Sequence, residues 1–367
     1  MNNILDTGIK NARNVGRYIF GSGSVAELTD IVQKRRGNTP SAAVFLVDSF
    51  FETNMDYLEN LPLEKSDLIR YVSIDEEPTT ESIDSLVEEI ASEVIMPSVI
   101  VGIGGGITLD TAKAVSNLLT NGGKAADYQG WDLVKVPGVY KIGIPTLSGT
   151  GAEATRTCVM TNKTTGLKLG MNSDYTVFDQ LILDPTLTAT VPSDQYFFSG
   201  MDAWIHCVES LAGGYRNPIG DAFSTQAIDL CREVFGGGEM MSDDHRAKLM
   251  VSSYLGGCAI ATSYVGVVHP FSAGLSVVLG LHHCVANCVT MACMESFYPN
   301  AYEEFMLFVE KNEINIPQGV CSGLTDEQFE DLYRATVIHD KPLTNALGPG
   351  FRGVLTQDKV REIFEAM

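Results

Sequence analysis

The segment Val99 to Lys113 (VIVGIGGGITLDTAK) constrains the fold more than any other part of the chain. An apolar run suited to a buried strand enters Gly104-Gly105-Gly106, and a helix-forming stretch, Thr108 to Leu119, follows. A strand that passes directly into a helix is half of a βαβ unit, and such units build parallel sheets covered by helices. The rest of the first half repeats this texture. Ala42 to Val47 and Ser98 to Ile103 read as short strands, Thr80 to Ser92 as an amphipathic helix, and Lys141 to Pro145 and Gln180 to Leu183 as further strands, the last followed by Asp184-Pro185. From Ser193 onward the periodicity is helical, over Asp202 to Leu211, Ala222 to Val234, Ala247 to Tyr264 and His283 to Glu295, with breaks at Gly213-Gly214 and Gly236 to Gly238. The expected fold is an α/β N-terminal domain with a doubly wound, mostly parallel sheet over residues 1-185, followed by an all-α C-terminal domain over residues 186-367.

Glycines let a backbone approach a phosphate closely, and a helix N-terminus adds free N–H groups and the positive end of a dipole. Gly104, Gly105 and Gly106 therefore read as a pyrophosphate site. A tight turn without a ligand is the plainer alternative, but it does not need three consecutive glycines. The arrangement is Rossmann-like without the usual fingerprint, which places its acidic residue after the glycines. Here the candidate is Asp48, at the end of an earlier strand. Its carboxylate could accept hydrogen bonds from ribose hydroxyls and would repel a 2′-phosphate; alone, Asp48 reads equally as a turn or helix-capping residue. The loop Pro145 to Thr155 (PTLSGTGAEAT) is rich in small and hydroxyl residues, and Thr146, Thr150 and Thr155 are candidate donors to phosphate or ribose oxygens.

The second half carries a different chemistry. In Gly200 to Glu209 (GMDAWIHCVE), Asp202 and His206 are four apart and share one helix face. His269 follows in GVVHPF, then His282 and His283 in GLHHCVANC. One carboxylate with several imidazoles suits a divalent cation such as Zn²⁺ or Fe²⁺. Each residue also has an ordinary reading: a histidine satisfied in an apolar core, or Asp202 capping a helix that begins after Ser199-Gly200.

The charge balance narrows the partners. With 46 acidic against 25 basic residues the net charge is −21, and no extended basic run or polybasic amphipathic segment is present, so neither nucleic acid nor an anionic membrane surface is expected as a partner. No run of about 18 apolar residues is present to span a bilayer. Met1 to Lys10 is polar and lacks an apolar leader core, and the eight cysteines are scattered without a CxxC pair. A reducing cytoplasm is the expected location.

Taken together, these motifs resemble the iron-containing alcohol dehydrogenase family over nearly the whole chain. The family's glycine turn, GGGSxxDxxK, is similar to Gly104 to Lys113; its PTxxGTGSE segment to Pro145 to Glu153; its GMDAxxH helix to Gly200 to His206; and its histidine pair, fourteen residues apart, to His269 and His283, with HGVAN similar to HCVAN at His283 to Asn287. The resemblance implies a dehydroquinate synthase-like architecture, NAD and a divalent metal (Fe²⁺ or Zn²⁺) as cofactors, and oxidation of an alcohol to a carbonyl. It implies metal ligands at Asp202, His206, His269 and His283 and a cofactor-binding role for Asp110. A family lysine aligns loosely with Lys168, sixteen residues before Asp184. His282, beside an implied ligand, is the candidate catalytic base, or else a surface residue. A homodimer acting on a small-molecule alcohol or sugar acid is expected.

The chain also departs from the pattern. Ile107 replaces a serine of the glycine turn, Leu147 stands where threonine is common, and Ala273 takes the place of a histidine implicated in proton movement. Three segments, TRTCVMTN, NSDYTVFDQ and VVHPFSAGLSVVLGLHH, look similar to a narrower branch that oxidises C8 of 3-deoxy-D-manno-octulosonate before an amination. Arg156, Arg216 and Arg352 are candidate anchors for such a substrate's carboxylate. Two rivals remain: a dehydroquinate-synthase-like cyclase, whose metal site is typically a glutamate with two histidines, and a non-catalytic binding protein that keeps the fold. The carboxylate at position 48 generates a test. NAD is expected to bind more tightly than NADP, and Asp48→Ala to narrow that difference; titration of both nucleotides checks it, and a wild-type preference for NADP would refute it.

Overall fold

The computed structural model describes residues 13–37, 41–54, 58 and 61–367, so the polar stretch Met1 to Lys10 lies outside the described residues. The described chain forms two compact units, Arg13–Thr190 and Val191–Met367.

The first unit contains β1 (Arg17–Phe20), α1 (Leu28–Arg36), β2 (Ala43–Asp48), β3 (Leu68–Val72), α2 (Thr80–Glu93), β4 (Val99–Gly104), α3 (Gly106–Asn121), β5 (Gly130–Trp131), β6 (Lys141–Pro145), β7 (Thr157–Asn162), β8 (Leu167–Asn172) and β9 (Gln180–Leu183). Six of these strands form one sheet in the order β1-β9-β6-β4-β2-β3, and every pairing in it is parallel. Strands β2, β4, β6 and β9 are buried along their whole length. Helices cover both faces of such a sheet, so these strands are apolar runs rather than alternating ones. The edge strands β1 (RYIF) and β3 (LIRYV) are partly exposed and mixed in polarity, which hides them from a pattern-based reading.

Chain order runs from β2 outward to β3 and then back across to β4, so the winding reverses between β2 and β4. In doubly wound sheets the ligand crevice lies outside the carboxyl ends of the strands at this reversal. Asp48 and Gly104 are the residues at those ends. Helix α3 begins at Gly106, earlier than the expected Thr108, because Gly105 serves as its N-cap in an extended conformation. Gly104 admits a close approach: a Cβ there would lie 2.7 Å from the Thr108 side chain and 2.9 Å from Asp48 Cβ.

A second sheet, β5-β8-β7, contains the antiparallel hairpin of β7 and β8. Two residues of α3 fasten it. The buried Lys113 Nζ donates to the Thr157 carbonyl at 2.7 Å and to Thr155 Oγ1 at 3.0 Å, and an Asp110 carboxylate oxygen accepts the Val159 N–H at 2.9 Å.

The second unit is helical: α4 (Ser193–Ala212), α5 (Pro218–Gly236), α6 (Asp243–Ser263), α7 (Val268–Leu279), α8 (His283–Met291), α9 (Pro299–Lys311), α10 (Asp326–Val337), α11 (Asp340–Leu347), α12 (Phe351–Val354) and α13 (Gln357–Glu365). Helix α4 is its axis, buried without interruption from Tyr196 to Cys207 and packed against α5, α6 and α8. Trp204 stacks on Phe305, and Phe197 meets Phe235 edge-on. The helix starts at Ser193, so Asp202 lies in its interior and the capping alternative for that residue does not hold. Ser199-Gly200 is not a break but a packing point, where a Cβ on Gly200 would collide with the Phe235 ring. Among the described residues no single helix is long and apolar enough to cross a membrane.

Gly104→Ala is expected to destabilise the protein by about 1–3 kcal/mol, the range for overpacking a tight contact. Urea denaturation checks this; an unchanged midpoint would show that Thr108 and Asp48 yield freely.

Candidate metal centre and cofactor edge

Three helices of the second unit bring acidic and imidazole side chains to one point. Asp202 and His206 project from the same face of α4, and His206 Nε2 is 3.4 Å from Asp202 Oδ1. His269, in the first turn of α7, places Nε2 at 3.2 Å from Asp202 Oδ1, and His283, the first residue of α8, places Nε2 at 3.7 Å from Asp202 Oδ2. Single donor atoms of Asp202, His269 and His283 all lie within 4.8 Å of one another. His206 adjoins this cluster with its ring stacked on His269 at 4.5 Å between centroids.

The donor set fits a divalent cation. Four ligands about 2.1 Å from a tetrahedral metal stand roughly 3.4 Å apart, close to the measured separations. One carboxylate and three imidazoles are the oxygen and nitrogen donors that Zn²⁺ and Fe²⁺ accept. The Asn287 amide, one turn along α8, points at the same place. Its Nδ2 donates to Asp202 Oδ1 at 2.7 Å and lies 3.3 Å from His269 Nε2 and 3.2 Å from His283 Nε2. The Asn287 amide N–H₂ thus meets atoms of Asp202, His269 and His283 at one place.

Burial governs the charges. It would raise the Asp202 carboxyl, but His206, His283 and His269 outweigh it and hold the group well below the usual carboxylate range. Burial lowers His206 to about 4, so this ring is neutral at working pH and its contribution to stability is lost only as pH falls from about 6.5 toward 4. Burial also acts to lower His269, yet Glu209 and Asp202 overcome it and raise the group to about 9. His269 therefore contributes stability that is full below about 6.5 and is lost as pH rises through about 9.

In the first unit the expected cofactor residues gather at the reversal point. Asp48 Oδ1 accepts the Phe50 N–H at 2.8 Å, which makes it the cap of a short 3-10 turn, the plainer of its two readings. Burial raises its carboxyl, while the N–H groups of Phe50 and Gly105 pull it partway back. Gly105 N–H thus ties the carboxylate to the glycine turn. Thr146 N–H bonds the Gly104 carbonyl at 3.1 Å, and a Cβ on Gly106 would lie 3.1 Å from Thr150 Oγ1. Thr155 and Asp110 sit apart from this group, engaged with Lys113 and β7 as described above. Burial raises the Asp110 carboxyl, with Lys113 opposing.

The other expected residues lie outside both groups. Lys168 is buried in β8 as the partner of Glu77, 3.1 Å away. His282 is exposed at the N-cap of α8. Arg156 pairs with Asp132 and Asp174, Arg216 with Asp221 and Arg352 with Asp340, so each candidate carboxylate anchor already faces a carboxylate of this chain. Ala273 is buried in α7, one turn beyond His269. Two residues of the metal centre escaped the sequence reading. Asn287 stood within the quoted HCVAN motif, and Glu209, which meets His269 Nδ1, stood seven residues after Asp202 on the same helical stripe.

Two family models match the chain: "iron-containing alcohol dehydrogenase" over residues 16–185 and "Fe-containing alcohol dehydrogenase family, C-terminal" over residues 197–321. The sulfoacetaldehyde reductase of Bilophila wadsworthia is 35% identical over 220 residues, 59% of this chain and 56% of that protein. The NAD-dependent methanol dehydrogenase of Bacillus methanolicus is 33% identical over 52% of this chain and 51% of that protein. The chain thus matches about half the length of these curated relatives. Among solved structures, an alcohol dehydrogenase from Oenococcus oeni superposes with a TM-score of 0.82 at 23% identity, covering 98% of this chain and 100% of that one. The sulfoacetaldehyde reductase of Bifidobacterium kashiwanohense in complex with NAD⁺ superposes with a TM-score of 0.77 at 21% identity, covering 97% and 98%. These likenesses identify the fold as a parallel-sheet α/β domain followed by a helical domain.

The raised His269 generates a test. Zn²⁺ uptake near neutral pH must expel the proton on this ring, so calorimetry in buffers of different ionisation enthalpy should register release of about one proton. His269→Ala should lose that release together with most of the affinity. Uptake with no buffer dependence would contradict the arrangement.

Proposed function

Because the chain belongs to the iron-containing alcohol dehydrogenase family, we propose that it is an oxidoreductase that converts a CH–OH group to a carbonyl with NAD as hydride acceptor. The observation that carries this reading is the convergence of Asp202, His269 and His283 from three helices on one point, with His206 beside Asp202. The family uses a divalent metal and NAD. A divalent cation in such a site polarises an alcohol oxygen and lowers its pKa, and the nicotinamide takes the hydride from the carbinol carbon.

The chain's own residues supply binding and orientation. Asp202 and the three histidines would hold the cation, and Asp202 would supply the one negative charge among these four ligands. Gly104, Gly105 and Gly106 at the start of α3 would cradle the pyrophosphate, with Thr146 and Thr150 beside them, and Asp48 would accept from the ribose hydroxyls. The proton must leave by a route without the histidine that Ala273 replaces. His282, exposed at the start of α8, can pass a proton to water and is the proposed base. All eight cysteines are free, which supports a reducing compartment.

The finer reading is that the substrate is the C8 primary alcohol of 3-deoxy-D-manno-octulosonate, oxidised to the aldehyde ahead of an amination. Its support is the resemblance of Thr155 to Asn162, Asn172 to Gln180 and Val267 to His283 to that branch, together with the alanine that stands at position 273 in place of a histidine. A small-alcohol substrate is the second reading. Relatives named for methanol and 1,3-propanediol favour it, as does the internal pairing of Arg156, Arg216 and Arg352. An unpaired, desolvated substrate carboxylate would be costly.

The test is incubation with NAD and either Zn²⁺ or Fe²⁺, with the octulosonate, ethanol, 1,2-propanediol and glycerol in parallel and any aldehyde trapped. A C8 aldehyde with little turnover of the small alcohols is the expected result. Fast turnover of a small diol and none of the sugar acid would replace the finer reading with the second. No NADH from any alcohol in a broad panel would overturn the dehydrogenase reading itself.

A further inference from the structure

Asp202, His206 and Glu209 occupy positions i, i+4 and i+7 along one face of α4, and only the first two belong to the proposed ligand set. The Glu209 side chain is fully buried, and both of its carboxylate oxygens have partners. Oε1 accepts the N–H of Val268, the first residue of α7, at 2.5 Å, and Oε2 meets His269 Nδ1. The Tyr298 hydroxyl accepts the Val267 N–H at 3.0 Å and interacts with the same carboxylate. Gly266 leaves room for this knot: a Cβ there would collide with the Tyr298 hydroxyl and stand 3.1 Å from Glu209 Oε1.

A fully buried carboxylate is costly unless it is paired and hydrogen-bonded. Here its partners are the start of α7, the Tyr298 hydroxyl and a single imidazole. A neutral imidazole whose Nδ1 faces a carboxylate oxygen carries its one proton on Nδ1 and keeps a lone pair on Nε2. Nε2 is the nitrogen that His269 turns toward Asp202, at 3.2 Å. His206 has no such support, since its Nδ1 is buried without a hydrogen-bond partner.

We propose that Glu209 is a positioning residue that locks His269 in the Nδ1–H tautomer and in the ring orientation that presents Nε2 to a divalent cation. The same carboxylate clamps the first N–H of α7, so it fixes where the His269 backbone stands relative to α4. Glu209 acts through His269 and not on the substrate. The inference rests on the metal reading given above, and it adds a residue outside the ligand set.

Chelator competition for Zn²⁺ and Co²⁺, with the visible spectrum of the Co²⁺ form, tests it on the wild type and Glu209→Gln. The amide would turn an N–H toward Nδ1 and drive the imidazole proton onto Nε2. Glu209→Gln is expected to bind both cations about 10- to 100-fold more weakly, with a shifted Co²⁺ spectrum and an unchanged far-UV spectrum of the metal-free protein. Wild-type affinity and an unchanged Co²⁺ spectrum in this variant would overturn the inference. If the variant does not fold, ¹⁵N-histidine NMR of the Zn²⁺-loaded wild type decides: His269 with Nδ1–H and metal-bound Nε2 supports the proposal, and the opposite tautomer refutes it. A wild-type protein that takes up neither cation would instead remove the metal reading, and this inference with it.

Discussion

A carboxylate sits fully buried at the centre of an apolar helix, and the second unit is arranged around that fact. Asp202 lies on α4 between Met201 and Ala203, both without solvent exposure. Moving a lone carboxylate into such a place costs several kcal/mol even after the surroundings relax. Three imidazoles and one amide meet this cost, delivered by α4 itself, by α7 and by α8. The packing of these helices is therefore not separable from the chemistry of the site, because the groups that stabilise the charge also form the ring of donors. A bound cation would join the imidazole and amide partners that Asp202 already has.

The α/β unit solves a different problem, the approach of a backbone to a phosphate. Its solution is topological. Reversal of the winding between β2 and β4 leaves a crevice at their carboxyl ends, and Gly104 lets the end of β2 approach the start of α3. Asp110 and Lys113 of the glycine-turn motif also have a structural role within this unit. Asp110, for which the family resemblance implies a cofactor contact, accepts the Val159 N–H, and Lys113 donates to the Thr157 carbonyl, so the two staple the β7–β8 hairpin onto α3.

The sequence made the central strands legible because strands buried on both faces have no polar residues to interrupt them. It made β1, β3 and the β7–β8 hairpin illegible for the converse reason: their residues are mixed and half exposed, and Thr, Asn and Lys in β7 and β8 read as loop. Asp202, His206, His269 and His283 stood out as a chemical set, but only folding could show that α4, α7 and α8 converge. Glu209 was hidden by its ordinariness, since a glutamate on a helix normally faces water. Its clue was the i, i+4, i+7 stripe, which places a second acid on a face that also carries a buried one.

Side-chain exposure falls in steps across the donor ring, from 27% at His283 to 11% at His269, 4% at His206 and none at Asp202. The ring is thus a funnel in one dimension. A cation entering from solvent would meet the His283 imidazole before it reached Asp202. A cation leaving by the same side would part from Asp202 before it parted from His283. Retention would then depend most on Asp202 and capture on His283, so the two would answer to different residues of the same ring.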